Sequence, residues 1–421
     1  MLLIANVLEL NGGTTFILRL AREFKKRGRR IGVLVLVDKV DPSLESNIRQ
    51  YADVYYLKDI VSNLYAPTMK SPLGVFVPVN FSALGQLIAS YGEHVHAMGV
   101  FGLLFIKRCH EDLGIDFRIS FGIYHQNEVV FEGVDYYFAK KAKLLFSTLP
   151  AASIVFFNEK TKFSHACFFK NDYAGSLMIP IGIDTPATGH GLLGDANSDR
   201  IVSIGNLYPF KSYNRHIINL LPGLKKYRPD LVYEIYGSGQ YEPELLKLVA
   251  SLQLEASVHF KGSIAYEDIP KVLEGALAFV GSGTAILEAA ALGVPAVIGI
   301  ESTDQPITYG LLSDIEGLSY NEFDPGQVTY PMKDVLIRVM ESADAWEIAA
   351  NACKSKSNYF TIEHTVDGFL KLENMDMDLR RFKAETYVNS IAACSFLACA
   401  FDQAFLGNKA FSMRREQGTL V

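Results

Sequence analysis

The 421-residue sequence contains no apolar run long enough to cross a bilayer, a single tryptophan and only five cysteines. The first lack argues against a membrane-spanning chain. Cys109, Cys167, Cys353, Cys394 and Cys399 are scattered, odd in number and in no metal-ligand spacing, which argues against a disulfide framework or a zinc site. Reduced thiols in a cytoplasmic protein are expected instead. The opening residues, MLLIANVLELNGG, have no basic n-region, so no secretory signal is read there. A complete dinucleotide fingerprint is missing too. GSGTAI from Gly281 and GSGQYE from Gly237 both lack the third glycine, which argues against hydride transfer. Net charge is −6 and no recognised binding module is present, so nucleic acid is not an expected partner.

What is present is an ordinary globular composition, 49% hydrophobic and 20% charged. The chain is too long for one core, so two domains are expected. The first 184 residues carry 20 Lys and Arg against 17 Asp and Glu, and the remainder carries the acidic excess. A basic cluster, REFKKRGRR from Arg22 to Arg30, lies in the first part. It reads as a solvated helix end or as a contact for anionic lipid headgroups.

Short apolar runs alternate with helical periodicity throughout. Residues 1–8 read as a strand, Phe16 to Lys26 as a helix, and Ile31 to Val37 as the next buried strand. Further strands are expected at Asp53–Leu57, Gly74–Pro78, His94–Ala97, Arg118–Tyr124, Ser153–Phe157 and Ser176–Ile181. Such alternation predicts an α/β protein with parallel sheets covered on both faces. The first domain is read as 1–184. A turn-rich stretch, 185–199, is read as a linker. The pattern restarts over 200–355, and 356–375 is read as closing helices. In the tail, 376–421, the 11-residue run IAACSFLACAF predicts a buried or dimer-forming helix, with a helix in the membrane interface as the alternative.

The most informative stretch is AFVGSGTAILEAAALGVPAVIG, from Ala278 to Gly299. It reads as strand, glycine turn, helix, strand. The first amides of such a helix have no intrahelical acceptor and sit at the positive end of its dipole. Gly281, Ser282, Gly283 and Thr284 are therefore candidates to hold an anionic ligand. Glu288, one turn beyond Thr284, is a candidate to accept a sugar's hydroxyls. Diphosphate donors beside one carboxylate suit a nucleotide. Read alone, the same stretch is equally a plain turn with a solvated glutamate.

Taken together, residues 1 to about 370 resemble the GT-B glycosyltransferases of family 4. NGGTTFILRLAREFKKRG is similar to their glycine loop and first helix, and VHAMG to their VHAH segment. SLMIPIGIDTP is similar to the segment closing their first domain, and SIGNLYPFKSY to the one opening the second. EIYGSGQYEPELLKLV and LEAAALGVPAVIG complete six pieces in the right order. The resemblance implies two Rossmann-like doubly wound domains facing a cleft. It also implies transfer of a sugar from a nucleotide-diphosphate donor, with retention and without metal or other cofactor. By it, Lys211 would neutralise the diphosphate, the amides near Gly283 and Thr284 would hold it, and Glu288 would bind the ribose. Gly12 and Gly13 would close on the donor sugar, and Asn206, Gly237 and Gly239 would add donor contacts. The sequence departs from the family in having Asn206 for an arginine and Val280 for an acid eight positions before Glu288.

His125 and His96 follow or end expected strands, where carboxyl ends gather. They are candidates for touching donor sugar or acceptor, His125 as a catalytic group beside Lys211 and Glu288, or are buried structural histidines. Glu128 is a candidate acceptor-side acid or a loop acid. The expected function is a glycosyltransferase of cell-surface polysaccharide synthesis, on a glycan or lipid-linked acceptor, cytoplasmic or peripheral on the inner membrane face. A catalytically weakened scaffold and a nucleotide-sugar epimerase on the same fold are the alternatives.

Overall fold

A computed structural model describes residues 1–114, 117–130, 134–184 and 191–413. The chain divides into two compact units. One joins Met1–Ile179 to Glu363–Arg415; the other is built on Pro180–Ile362.

The first unit holds seven parallel strands: β1 (Leu2–Ala5), β2 (Gly32–Val35), β3 (Asp53–Tyr56), β4 (His94–Ala97), β5 (Arg118–Ile123), β6 (Ile154–Phe156) and β7 (Leu177–Met178). Their order is β3-β2-β1-β4-β5-β6-β7. Runs such as LLIA and GVLV are buried throughout, as interior parallel strands must be when helices cover both faces. The strand expected at Gly74–Pro78 is instead a 3-10 turn, Pro72–Phe76. Ser71 caps it and Pro72 starts it. The Val75 and Val77 carbonyls are taken by the buried Arg108 guanidinium at 3.0 and 2.6 Å, which leaves no ladder to join.

Residues from Glu363 onward return to this first unit. Arg118 donates to the Leu372 and Met375 carbonyls at 2.6 and 3.0 Å, capping the helix Ile362–Leu372. Lys107, fully buried, donates to the Lys383 carbonyl at 3.0 Å. The tail run forms the helix Asn389–Phe405, in which Phe396 packs among Phe76, Phe101 and Phe138. One face of that helix is therefore core of its own unit. The other exposes Ile391, Leu397, Phe401 and Phe405. Among the described residues no helix is long and apolar enough to cross a membrane.

The basic cluster lies at the surface, largely paired with acids of its own unit. Arg29 makes a bidentate pair with Glu373 at 2.6 and 2.7 Å, Arg30 pairs with Asp53 at 2.7 Å, and Arg27 pairs with Glu23 and Asp367. Lys26 reaches Glu23 and Glu363 at 3.3 and 3.4 Å. An anionic surface would compete with these acids for the cluster.

The second unit holds β8 (Arg200–Ile204), β9 (Val232–Tyr236), β10 (Val258–Gly262), β11 (Ala278–Gly281) and β12 (Ala296–Ile298) in the order β10-β9-β8-β11-β12, all parallel. This repeats the first sheet's plan: three strands wound one way, then a reversal. Both halves are thus doubly wound, as the alternation predicts. Of the expected linker, 185–190 lies outside the described residues. The described part, 191–199, is tied into the second unit. Leu193 and Asp195 bond to the Leu292 and Ala276 carbonyls, Arg228 holds the Ala196 and Ser198 carbonyls, and Gly194 packs under the Trp346 ring.

Candidate functional site

In a doubly wound sheet, ligands gather outside the carboxyl ends of the strands where the winding reverses. In the second unit that point lies between β8 and β11. Ser203 of β8 bridges it: its one hydroxyl proton can go to the Val280 carbonyl or to Tyr233, 2.7 Å away, whose own hydroxyl donates to Asn214. Val280 itself is fully buried strand core.

Two strand ends bring cationic groups to this point. After β8, the turn closed by Lys211 N–H on the Tyr208 carbonyl folds the Lys211 side chain back over Gly205. A methyl group added at Gly205 would lie 3.0 Å from Lys211 Nζ. After β11, the helix Gly283–Ala291 begins. Its N-cap residue, Ser282, makes no cap hydrogen bond. Ser282 Oγ instead donates to Glu301 Oε1 at 2.6 Å. Gly283 has φ +65° with nothing within 4 Å of an added methyl, so here the glycine both makes the turn and leaves space in front of it. Glu288 lies on this helix, buried but for a small fraction.

The other glycines have a different use. A methyl at Gly237 would fall 1.9 Å from the Gly205 carbonyl oxygen, and one at Gly239 2.2 Å from that of Leu207. Gly281 belongs to β11 and faces its own Phe279 ring. At all three the space a side chain would take is filled by the protein itself, by the Gly205 and Leu207 backbone and by the Phe279 ring. Asn206 is exposed.

Sequence reasoning missed Glu301. It follows β12, and its backbone N–H bonds to the Asn321 carbonyl at 2.9 Å. Burial raises its pKa, opposed by the Lys211 charge and by hydrogen bonds from Ser282 and Asn321; the net shift is upward. Burial also works against the Lys211 ammonium, but attraction from Tyr213 and Glu301 outweighs it and its pKa is raised. Glu322, buried beside them, is pushed up to about 7 by burial, with Glu301 adding to the shift. A glutamate after a buried apolar strand gave no pattern to find: its partners come from two other strand ends.

The first unit's candidates are built differently. Gly12 and Gly13 are not a loop but the first residues of the helix Gly12–Lys26, whose start is capped by Asn11 Oδ1 on Thr14 N–H at 3.0 Å. His96 is fully buried in β4, and both ring nitrogens are satisfied, by Ser120 Oγ and by Tyr124 OH, each at 2.8 Å. Burial, with a smaller push from His94, lowers its pKa to about 3. It is the structural histidine of the two readings. Glu128 is buried, accepts the Val100 N–H at 2.8 Å and so caps the helix Val100–Leu113. His125 is half-buried, and its Nδ1 accepts from the Asn127 N–H at 3.2 Å. Of the first unit's polar candidates it alone keeps substantial exposure.

Residues 193–302 match the family model described as Glycosyl transferases group 1, a segment running from before β8 to just past Glu301. No curated protein sequence matches the chain. Solved structures similar to it include a mutant of S. aureus TarM in complex with fondaparinux, alpha-GlcNAc-glycerol and UDP. That chain is 13% identical, with 89% of this chain and 99% of that one covered at a TM-score of 0.62. Sucrose-phosphate synthase from Thermosynechococcus elongatus is 15% identical over 89% and 98%, at 0.61. A glycosyltransferase from Rickettsia africae is 13% identical over 91% and 99%, at 0.60. The likeness at this identity is one of fold, and the fold is GT-B.

Proposed function

We propose that the chain transfers a sugar from a nucleoside-diphosphate donor to a hydroxyl of a glycan or lipid-linked acceptor, with retention of configuration. One observation carries this: Lys211 and a helix N-terminus left without a side-chain cap lie at the winding reversal of the second sheet, with Glu288 one turn along the same helix. Breaking a sugar–phosphate bond develops negative charge on the departing diphosphate. Donors fixed in advance stabilise that charge more than they stabilise the ground state. Lys211 and the amides at Gly283 and Thr284 supply them in this reading without a metal, and Glu288 takes the ribose hydroxyls. The match of residues 193–302 to the group 1 model supports the same assignment, as does the UDP in the TarM complex.

His125 is the first unit's candidate for the sugar or acceptor. The exposed row Ile391, Leu397, Phe401 and Phe405 supports work at a lipid surface, together with the basic cluster Arg22–Arg30. The purified chain is tested by calorimetry with UDP and GDP, then for turnover of their sugars with and without acceptor. Binding of one nucleotide and acceptor-dependent transfer are expected. Absence of any nucleotide binding overturns the proposal, and turnover without acceptor replaces it with an epimerase.

A further inference from the structure

The buried acid beside Lys211 stands where a phosphate is proposed to bind. Glu301 Oε1 takes the hydroxyl of Ser282, the residue placed to cap the helix Gly283–Ala291, and so the helix start is left without that cap. Four groups face the carboxylate from three directions. Lys211 comes from the turn after β8, Ser282 from the end of β11, and Asn321 and Glu322 from the segment that bonds the Glu301 backbone. Asp304, further along its own loop, is turned out to an exposed pair with Arg215. Only Lys211 among these is cationic.

We infer that Glu301 is a positioning residue that acts as an internal stand-in for the donor's diphosphate: it holds Lys211 and Ser282 in place before a nucleotide binds, and takes up one proton from solvent when the diphosphate arrives. The inference rests on the proposed phosphate subsite. Its physical basis is charge. A carboxylate and a diphosphate sharing one ammonium repel each other. Protonating the carboxyl removes that repulsion while its carbonyl oxygen still accepts from Ser282. Burial has already raised the Glu301 pKa, which lowers the cost of the proton. Glu322, itself raised by burial, is the one other acid able to compete for it.

The test is calorimetric titration of the full chain with UDP and GDP in buffers of different ionisation enthalpy, between about pH 7.5 and 8.5, where a terminal phosphate is fully ionised. The wild type is expected to take up close to one proton per nucleotide and to bind up to about tenfold more tightly per unit fall in pH. Glu301→Gln is expected to take up none and to bind with little pH dependence, about tenfold more tightly than wild type at the alkaline end. Ser282→Ala should keep the uptake. Binding without proton uptake in the wild type overturns the inference and leaves the function standing. Uptake that persists in Glu301→Gln also overturns it and points to Glu322. If neither nucleotide binds, the function fails and this inference with it. Should Glu301→Gln not fold, Glu322→Gln takes its place: uptake kept in that variant supports Glu301, and uptake lost in it overturns the inference.

Discussion

The two sheets share a winding plan and differ in what they do with polar residues at the reversal. In the first, Asn11 caps the helix that follows β1, Glu128 caps the helix that follows β4, and His96 is closed between Ser120 and Tyr124. In the second, Ser282 turns away from its helix, Gly283 faces open space, and Lys211 lies folded over Gly205. At the first reversal these three polar residues are satisfied by the protein's own groups. At the second, Ser282 is drawn to the buried Glu301 carboxylate and the helix start keeps no side-chain cap. One topology thus gives two junctions that differ in their hydrogen-bond partners.

Removing one key residue from each half makes the largest break in this comparison. Lys211→Ala is expected to reduce transfer about 100-fold or more with little change in melting temperature, since a fixed transition-state donor is lost. His96→Ala should do the reverse. It leaves Tyr124 without its hydroxyl partner, leaves Ser120 only His94, and opens a cavity, for a loss of about 2–4 kcal/mol. Nucleotide affinity measured by calorimetry should be unchanged. If His96→Ala abolishes binding while the protein stays folded, the division of labour between the sheets is wrong.

A second difference is the sign of the pH dependence. His94 and His96, both lowered to about 3 by burial, stay neutral in the native state while the unfolded chain protonates below 6.5. Their contribution is therefore lost as pH falls from 6.5 towards 3. Glu322 runs the other way. Its native value of about 7 against an ordinary 4.5 means that the unfolded chain gives up its proton first, so stability declines as pH rises from 4.5 to 7. His216, lowered to about 4 by burial, works against Glu322 within the same unit, so a single substitution is needed to isolate it. Glu322→Gln should stabilise the chain by up to ~3 kcal/mol at pH 8 and by nothing below pH 4.5. Melting curves across that range check it; a gain independent of pH would mean that Glu322 is not a buried titrating acid.

The winding of both sheets was legible because buried parallel strands are unbroken apolar runs and their helices repeat at 3.6 residues. The placement of Lys211 and Gly283 was legible because a strand-to-helix turn shows its glycine and lysine in sequence. The contacts of His96, Glu128, Gly237 and Gly239 were not. A histidine closed between Ser120 and Tyr124 reads the same as one facing solvent, and a glycine under a neighbouring carbonyl reads the same as one under a ligand. Glu301 was hidden for a related reason: Ser282 and Asn321, which define it, lie 19 and 20 residues away.

The smallest effects probe the two helix starts directly. Gly283 has φ +65°, so alanine there should cost about 1 kcal/mol whatever else it does. Gly12 is a helical residue with nothing within 4 Å of an added methyl, so alanine there should be neutral or stabilising by about 0.5 kcal/mol. Stability alone gives Gly12 no reason to be glycine. If the space in front of it exists for a donor sugar, Gly12→Ala will lower transfer several-fold while the melting temperature holds or rises. Unchanged transfer would instead assign the whole donor to the second unit, and would leave Asn11 and its helix as structure only.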